Sequence, residues 1–381
     1  MIGAETLRVS DSSSLFTRVA RSLNLDGPLL LGLIALASIG MIVLYSAGGE
    51  SFALLTRQAI RLAVAFTVLI IFAQLTPHML RLWTPWIFIG GIILLIAVLY
   101  GGDVGRGAQR WLDLGFIRFQ PAEIMKLAVP MMIAWYLHDK PLPPSFLQVL
   151  VVGMLVAFPV ALIAKQPDLG TAVLIASAGA FAVFLAGIRW RIILLIFAAA
   201  VPALIIFWKY YMRDYQRQRV LTFFNPESDP LNSGYHIIQS KIAIGSGGLF
   251  GKGWANGTQS QLDFLPERST DFIFAVLGEE FGLLGAMVVL LVYAFIIARG
   301  LYISSQAEKT FGRLLAGSLI LTFFVYLFVN VGMVSGLVPV VGIPLPLISY
   351  GGTSMVTLMA GFGILMSIHS NRKLMARQRP L

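Results

Sequence analysis

Residues 259–282 read QSQLDFLPERSTDFIFAVLGEEFG, and within this stretch a polar segment runs directly into an apolar helix. Such a junction is typical of a helix that enters a membrane, because charged residues remain in water while apolar residues enter the hydrocarbon. Asp263, Glu267 and Asp271 lie in the polar segment up to this junction, where a partly desolvated carboxylate is a plausible general base. Glu279 and Glu280 follow about 12 Å deeper on the same helix. Carboxylates at that depth normally face a protein interior or a cavity.

The composition indicates a membrane protein. Of the 381 residues, 57% are hydrophobic and only 12% are charged, far from the average of soluble domains. The net charge is +10, but the basic residues are spread between apolar blocks as topology signals are, so no nucleic-acid partner is expected. The chain has no cysteine and only four scattered histidines, which argues against disulfides and a zinc site.

Ten apolar segments of spanning length predict an all-α polytopic membrane protein with about ten transmembrane helices. They fall at residues 28–47, 57–75, 82–100, 121–138, 146–164, 170–187, 190–209, 272–298, 312–335 and 346–368. We therefore expect a cytoplasmic N-terminal segment (1–27), a membrane domain (28–368) and a basic cytoplasmic tail (369–381). Residues 210–271 form one large extracytoplasmic loop between spans seven and eight.

The distribution of basic residues predicts that both termini are cytoplasmic. With the N-terminus inside, short cytoplasmic segments carry fourteen of the 28 Lys and Arg residues, as the positive-inside rule requires. No cleavable signal peptide is expected at the N-terminus. Residues 210–224 suit a basic helix at the membrane surface or a solvated basic cap, and residues 235–244 suit a short amphipathic helix.

Several charged pairs interrupt the apolar pattern. Glu123 and Lys126 share a helix face about one turn inside the membrane, so they form either an internal ion pair or a site where Lys126 receives an anionic substrate group. The loop at residues 101–120 is rich in glycine and contains Arg110. Asp168 lies in a turn between spans five and six, where a lone acid beside a base is more often structural.

Two irregular stretches remain. The run GSGGLFGKGWANG at residues 245–257 fits neither the P-loop nor the dinucleotide fingerprint, which leaves a close approach to a lipid-linked substrate or simple flexibility. The stretch NVGMVSGLVPVVGIPLPLISYGGTSM at residues 330–355 is broken by glycine and proline. Irregular backbone at this depth must be buried in protein or line a cavity, so we predict a re-entrant segment.

The sequence resembles the shape, elongation, division and sporulation (SEDS) family of bacterial membrane proteins, and within it the elongation members. The matching blocks are RWLDLGFIRFQPAEIMKLA, KQPDLGTA, GYHIIQSKIAIGSGGLFGKGW, GTQSQLDFLPERSTDFIFAVLGEEFG and PLPLISYGGTSM. They follow the family's order over nearly all spans. One departure is Ala122, where the family commonly has Ser, while the neighbouring Glu123 and Lys126 are retained.

The resemblance implies a peptidoglycan glycosyltransferase in the bacterial cytoplasmic membrane, which polymerises lipid II at the outer face during cell elongation. The essential aspartate of the family matches Asp271. The implied partners are lipid II, a class B penicillin-binding protein that supplies transpeptidation, other membrane proteins of the elongation machinery, and membrane lipids.

Asp271 is the predicted catalytic base, which accepts the proton of an attacking sugar hydroxyl. Polar residues within the matching blocks are the predicted substrate contacts: Arg110, Trp111, Glu123, Lys126, Asp168, Lys241, Gln261, Asp263, Glu267 and Arg268. Four cations are candidates to stabilise the departing pyrophosphate: Arg110, Lys126, Lys241 and Arg268. No nucleotide cofactor is needed, and a divalent cation such as Mg²⁺ or Mn²⁺ bridging pyrophosphate oxygens is compatible with this chemistry.

Two other classes of function also account for part of the pattern. A lipid II flippase or transporter explains the deep carboxylates, because such residues mark substrate or proton pathways. A noncatalytic scaffold of the wall machinery needs no essential acid. If Asp271 has a purely structural role, it or Thr270 is the N-cap of the eighth span.

Overall fold

A computed structural model of the chain describes residues 23–105, 108–113, 118–212, 214–225, 233–262, 264–265 and 267–378. The described residues form thirteen α-helices, one π-helix and three short strands. In chain order the helices are α1 (Gly27–Ala47), α2 (Phe52–Gln74), α3 (Pro77–Gly101), α4 (Pro121–Leu137), α5 (Phe146–Lys165), α6 (Leu169–Leu185), α7 (Trp190–Ile206), α8 (Asp214–Phe224), α9 (Ser233–Gly247), α10 (Thr258–Gln261), α11 (Ile273–Ser305), α12 (Thr310–Val334) and α13 (Thr353–Gln378). The π-helix is Phe207–Tyr211.

Eight of these helices are long and apolar enough to cross a membrane: α1, α2, α3, α5, α7 (extended to Tyr210), α11, α12 and α13. Helix α6 is apolar but shorter, at 17 residues. Helix α4 also has 17 residues, or about 25 Å of length. The prediction of a helical membrane protein is therefore confirmed, while the count of ten spans stays a prediction.

Local sequence signals set where several helices begin. Asp26 caps α1 by accepting a hydrogen bond from the Leu29 amide at 3.0 Å, and Pro28 follows in the first turn. Ser145 and Gln148 form a reciprocal capping box at the start of α5. These contacts satisfy amides that have no partner within the helix and so fix where the helix begins.

The helices pack as a bundle whose two ends have different polar contacts. Helix α13 lies along α2, α11 packs on α1 and α12, and α4 contacts α3, α5, α6 and α12. At one end, which we call the terminal face, α1 begins and α13 ends, and Arg299 of α11 bonds to Asp26 at 2.7 Å. The opposite end carries Asp271, and we call it the Asp271 face. Among the described residues of α7, only Ile192 is buried.

The loop between α3 and α4 contains a small sheet that the sequence pattern did not predict. Strands β1 (Asp103–Gly105), β2 (Ala108–Asp113) and β3 (Arg118–Phe119) pair antiparallel in the order β1-β2-β3. Trp111 of β2 lies opposite Asp103. Glycine and charged residues mask the strand pattern here, because the strands are only two to six residues long.

The start of the last span also differs from the prediction. The apolar pattern placed it at residue 346, whereas α13 begins at Thr353. Residues 335–352, which we call the crossing segment, form neither helix nor strand. Ile343, Leu345 and Ile348 within this segment are at most 2% exposed, so the irregular backbone is buried in protein. That the segment re-enters the membrane stays a prediction.

Candidate active site

Asp271 lies in a turn immediately before α11, and the turn is held from below by α12. Asn330 of α12 is fully buried, and its amide donates to the Asp271 carbonyl oxygen at 2.9 Å and to the Ile343 carbonyl oxygen at 2.8 Å. One side chain therefore fixes the turn and the crossing segment relative to each other. An asparagine buried in an apolar helix is costly unless its amide is bonded in this way.

The helix start corrects one structural expectation. Helix α11 begins at Ile273, and Phe272 occupies the N-cap position without a side-chain cap. The expectation that Asp271 or Thr270 is the N-cap is therefore wrong. The Thr270 hydroxyl instead donates to the Glu267 carboxylate at 2.7 Å.

The crossing segment covers the Asp271 turn with further backbone contacts. The Tyr350 amide donates to the Ser269 carbonyl oxygen at 2.8 Å, and the Ser349 hydroxyl donates to the Thr270 carbonyl oxygen at 2.6 Å. Gly342 has a left-handed φ of +77°, and a Cβ atom there would lie 3.3 Å from Asp271 Oδ2. Glycine at this position both permits the backbone conformation and leaves room for the carboxylate.

Arg110, Gln120 and Asp168 form a polar clamp at the Asp271 face. The Arg110 Nε atom donates to the Gln166 carbonyl oxygen at 3.2 Å, and its guanidinium also bonds to the Pro167 carbonyl oxygen. Gln120 Nε2 donates to Asp168 Oδ2 at 2.8 Å. The other Asp168 oxygen accepts from the Thr171 amide at 3.3 Å, which caps α6. These contacts support the structural interpretation of Asp168, and they tie β2 to the turn between α5 and α6.

The clamp connects to the Asp271 turn through packing. A Cβ atom at Gly170 in the first turn of α6 would lie 3.2 Å from the Ile343 side chain. Ile343 also forms a buried cluster with Leu174 of α6 and Tyr326 of α12. The clamp, the crossing segment and the Asp271 turn therefore form one contiguous structure.

Glu123 and Lys126 pair inside the bundle, as the internal ion-pair interpretation expects. Lys126 Nζ lies 2.7 Å from Glu123 Oε1, and both residues are less than 10% exposed. The ammonium group also lies 5.3 Å from the centre of the Tyr326 ring. Glu123 Oε2 is buried without a hydrogen-bond partner among the described residues, so this carboxylate keeps one oxygen available to a ligand or a water molecule.

Glu123 lies in the wall of a groove of about 510 Å³. The groove is formed by α2, α3, α4 and α13, and its lining is almost wholly apolar. It runs from Phe119, beside the first turn of α4, to Met79, in the first turn of α3 at the terminal face. A long apolar groove with a single carboxylate fits an extended hydrocarbon chain.

The remaining predicted contacts are spread over the Asp271 face. Lys241 is exposed on α9, and its Nζ atom lies 2.7 Å from where a Gly336 Cβ would stand. Arg268 donates to the Ser260 carbonyl oxygen. Gln261 and Glu267 are exposed, and Trp111 is half-buried. Asp263 lies outside the described residues.

The glycine-rich run has a structural role that the sequence analysis did not anticipate. A Cβ atom at Gly251 would lie 2.1 Å from the Glu280 carbonyl oxygen, and Gly282 breaks α11 with a φ of +64°. The Lys252 amide donates to the Glu279 carbonyl oxygen and the Leu283 amide to the Gly248 carbonyl oxygen, each at 3.0 Å. The glycine-rich run therefore packs its backbone closely against the break in α11, because only glycines allow two backbones to lie this near each other.

The deep carboxylates are engaged by the same region. Glu279 is fully buried and accepts from Lys252 Nζ at 2.8 Å, from the Thr258 hydroxyl at 3.1 Å and from the Gln259 amide at 2.9 Å. Glu280 accepts from the Ser46 hydroxyl of α1. Glu279 thus organises the loop. In the part of the chain that the structure describes, no group of three or more His, Asp or Glu side chains could hold a metal ion.

Three residues that surround the Asp271 turn are not among the predicted site residues: Asn330, Gly342 and Ser349. A usable signal existed for Asn330, because a polar residue in an apolar helix marks a buried contact or a functional site. No local signal identified the other two, since their importance depends on residues about 70 to 80 positions away, as the Ser349 contact with Thr270 illustrates.

The fold and this site define a polytopic helical membrane protein with a half-buried turn that presents a carboxylate at one end of the bundle. The chain belongs to the FtsW, RodA and SpoVE family of cell cycle proteins, whose sequence profile matches residues 23–374. This match confirms the family that the sequence blocks predicted, and it confirms the predicted similarity to the RodA members.

Individual relatives cover almost the whole chain. It is 52% identical over 357 residues to the peptidoglycan glycosyltransferase MrdB of Escherichia coli strain K12, which covers 93% of this chain and 96% of MrdB. A solved chain from work on the coordination of polymerization and crosslinking by a peptidoglycan synthase complex superposes with a TM-score of 0.81 at 29% identity, covering 91% of this chain and 98% of that one. The rod shape determining protein RodA of Thermus thermophilus superposes with a TM-score of 0.69 at 28% identity, over 91% and 97%.

Proposed function

We propose that this protein is a peptidoglycan glycosyltransferase that polymerises lipid II into glycan strands during cell elongation. The observation that carries the proposal is the Asp271 turn, which Asn330 and the crossing segment hold at one end of a membrane bundle. The 52% identity to a relative that is named for this activity supports the same conclusion.

In the proposed reaction, Asp271 is the general base. The 4-hydroxyl of an acceptor GlcNAc attacks C1 of the donor sugar, the new C1–O4 bond forms, and the bond from C1 to the pyrophosphate oxygen breaks. Asp271 takes the hydroxyl proton, and undecaprenyl pyrophosphate leaves with the bonding electrons. A positioned base contributes about 10²-fold to 10⁴-fold in rate.

The contacts distinguish between the four cations that could meet the pyrophosphate. Arg110 is engaged by the turn after α5, and Lys126 is paired with Glu123. Lys241 is exposed and makes no ion pair among the described residues. The same helix contacts the active turn, where His236 stacks on Phe272 with ring centres 5.7 Å apart. We therefore assign pyrophosphate stabilisation first to Lys241. Arg268, three positions before Asp271 in the sequence, is the second candidate.

The apolar groove offers a place for the polyprenyl chain of the substrate. Its Glu123 end lies at the first turn of α4, on the Asp271 face, and its other end reaches α3 near the terminal face. A lipid chain in the groove would keep the sugar headgroup near the polar end of the bundle. The transporter alternative loses support at Glu279, because both oxygens of this carboxylate accept hydrogen bonds from the loop.

The proposal includes an orientation and a partner. The Asp271 face lies outside the cytoplasmic membrane and the termini lie in the cytoplasm, in accordance with the distribution of Lys and Arg. A class B penicillin-binding protein crosslinks the strands that the chain makes, which agrees with the synthase complex among its structural relatives. Reporter fusions after Gly257 and after Ser305 should lie on opposite sides of the membrane.

A direct assay tests the activity. The purified chain in detergent is incubated with labelled lipid II, with and without a class B penicillin-binding protein, and the products are separated by size on a gel. We expect a ladder of long glycan strands that increases with the partner. A protein that moves lipid II across vesicle membranes but forms no strands with either preparation would instead be a flippase.

A further inference from the structure

Two cavities open on the terminal face, on either side of Arg81. The larger, about 460 Å³, is lined by Arg81, Leu82, Trp135, Tyr136, Asp139 and Lys140. The smaller, about 100 Å³, shares Arg81 and adds Lys309, Arg372 and the histidines His78 and His138. Neither cavity belongs to the site around Asp271, which lies at the opposite end of the bundle.

The cations in these cavities have no carboxylate partner among the described residues. Elsewhere in the bundle, Lys126, Lys252 and Arg299 each pair with an acid at 2.7 to 2.8 Å. By contrast, Arg81 has no such partner, and Lys140 only faces the Tyr136 ring, 5.9 Å from its centre. Unpaired cations that converge on a cavity attract an anion.

The charge of the lining is positive when every ionisable group is counted. Four fixed cations line the two cavities: Arg81, Lys140, Lys309 and Arg372. Two carboxylates, Asp139 and Glu308, oppose them, which leaves a formal charge of +2 (4 minus 2) before any histidine is protonated. Asp139 is itself 3.5 Å from His138 Nε2. His138 Nδ1 is buried without a hydrogen-bond partner among the described residues.

The position of Arg81 corresponds to the level of lipid headgroups. Helix α3 begins at Pro77, so Arg81 lies about one turn, or roughly 6 Å, into the helix. Beside it, Leu82 is 57% exposed and Trp135 is 39% exposed. Exposed tryptophan next to basic residues at a helix end is typical of the interface between headgroups and hydrocarbon.

We propose that this face holds a binding site for an anionic phospholipid, whose headgroup phosphate lies between Arg81 and Lys140 while its acyl chains lie along Leu82 and Trp135. Basic pockets between transmembrane helices are known to recognise such headgroups. A free phosphate would share the charge contacts, but it would leave the apolar wall of the larger cavity unused. The phospholipid is therefore the occupant that matches the whole lining.

The test measures lipid binding directly. The full-length protein is titrated in detergent with phosphatidylglycerol or phosphatidylcholine of identical acyl chains, and bound lipids are counted by native mass spectrometry. We compare the wild type with the double variant Arg81→Gln and Lys140→Gln. Arg189→Gln is the matched control, since Arg189 is an exposed cation in the turn between α6 and α7 that lines neither cavity.

We expect the wild type to prefer phosphatidylglycerol over phosphatidylcholine and the control to keep that preference. The double variant should weaken phosphatidylglycerol binding about 25-fold, because each cation near an anionic lipid contributes about fivefold. Binding of phosphatidylcholine should be unchanged. Equal losses in the control and the double variant, or none in either, would overturn the proposal.

Two further measurements keep the result interpretable. If the double variant elutes as an aggregate, Lys140→Gln alone is used, because Lys140 is an exposed turn residue, and a loss of about fivefold is expected. Glycerol 3-phosphate is added as a soluble competitor with the same phosphate chemistry. If it displaced phosphatidylglycerol at equal concentration, the site would be one for a soluble anion and the lipid assignment would be wrong.

Discussion

Replacing Gly342 by alanine tests whether the crossing segment positions the Asp271 carboxylate. Two effects are expected. The left-handed φ of +77° strains any residue with a Cβ, at about 1–2 kcal/mol. In addition, the new methyl group would lie 3.3 Å from Asp271 Oδ2, which is closer than an ordinary contact, so either the carboxylate or the segment must shift.

The second effect should dominate the activity. Misplacement of a catalytic group by about 1 Å can cost about 10²-fold in rate, so we expect lipid II polymerisation by Gly342→Ala to fall between tenfold and a hundredfold. Gly187→Ala is the matched control. Its φ is +83°, and its nearest neighbour would be the Pro143 Cβ at 3.9 Å, so it carries the backbone strain without touching the site.

The assay measures initial rates of strand formation and the apparent melting temperature of both variants in detergent. Both should melt at similar, slightly lower temperatures, while only Gly342→Ala loses most of its activity. If the two variants lost activity equally, the effect would come from backbone strain alone. Normal activity in Gly342→Ala would show that the added methyl group leaves the carboxylate undisturbed, and the positioning argument would be refuted.

Two further substitutions probe the contacts that hold each end of the bundle. Asn330→Leu keeps a similar size but leaves the carbonyls of Asp271 and Ile343 without their donor. Thermal unfolding should therefore show a loss of about 1–3 kcal/mol for each unpaired group, together with a fall in polymerisation. Unchanged stability would contradict the contact. Although burial alone would raise the pKa of Asp26, hydrogen bonds from Arg299 and the Leu29 amide and the nearby positive charge lower it below its usual 3.8. The ion pair therefore stabilises the fold above pH 4, and this stabilisation is lost as the pH falls through the folded-state pKa. Asp26→Asn should lower the free energy of unfolding by roughly 2–3 kcal/mol at pH 7, since Arg299 is partly exposed, and by progressively less in acid. A loss of stability that did not depend on pH would refute the ion pair.

Much of the helical architecture could be predicted because apolar length determines where a span begins and ends. The predicted segment 28–47 corresponds to α1 (Gly27–Ala47), and the predicted segment 121–138 corresponds to α4 (Pro121–Leu137). Proline or a capping side chain marks both starts. The last span was placed seven residues too early, because the apolar run GIPLPLIS contains no charge to separate an extended segment from a helix.

The site was less predictable, since it depends on contacts between distant parts of the chain. Asp271 was identified at its junction, but the partners that hold it, Asn330 and Gly342, lie about 60 to 70 positions later, as the Asn330 contact shows. Arg110 was expected to contact the substrate, whereas its guanidinium bonds to carbonyls of the turn after α5. A charge on a loop cannot reveal which backbone groups will face it.

The rate of lipid II polymerisation by Asp271→Asn tests whether this carboxylate is the general base. Asparagine keeps the size of the side chain, and the contact from Asn330 goes to the backbone carbonyl of residue 271, so the variant should fold with an unchanged elution profile and melting temperature. It cannot accept a proton at neutral pH, and we expect the rate to fall by about 10² or more. Glu280→Gln is measured beside it for polymerisation and for lipid II translocation, and this comparison distinguishes a polymerase from a transporter. Near-normal polymerisation by Asp271→Asn, with translocation lost in Glu280→Gln, would contradict the account and favour a transporter.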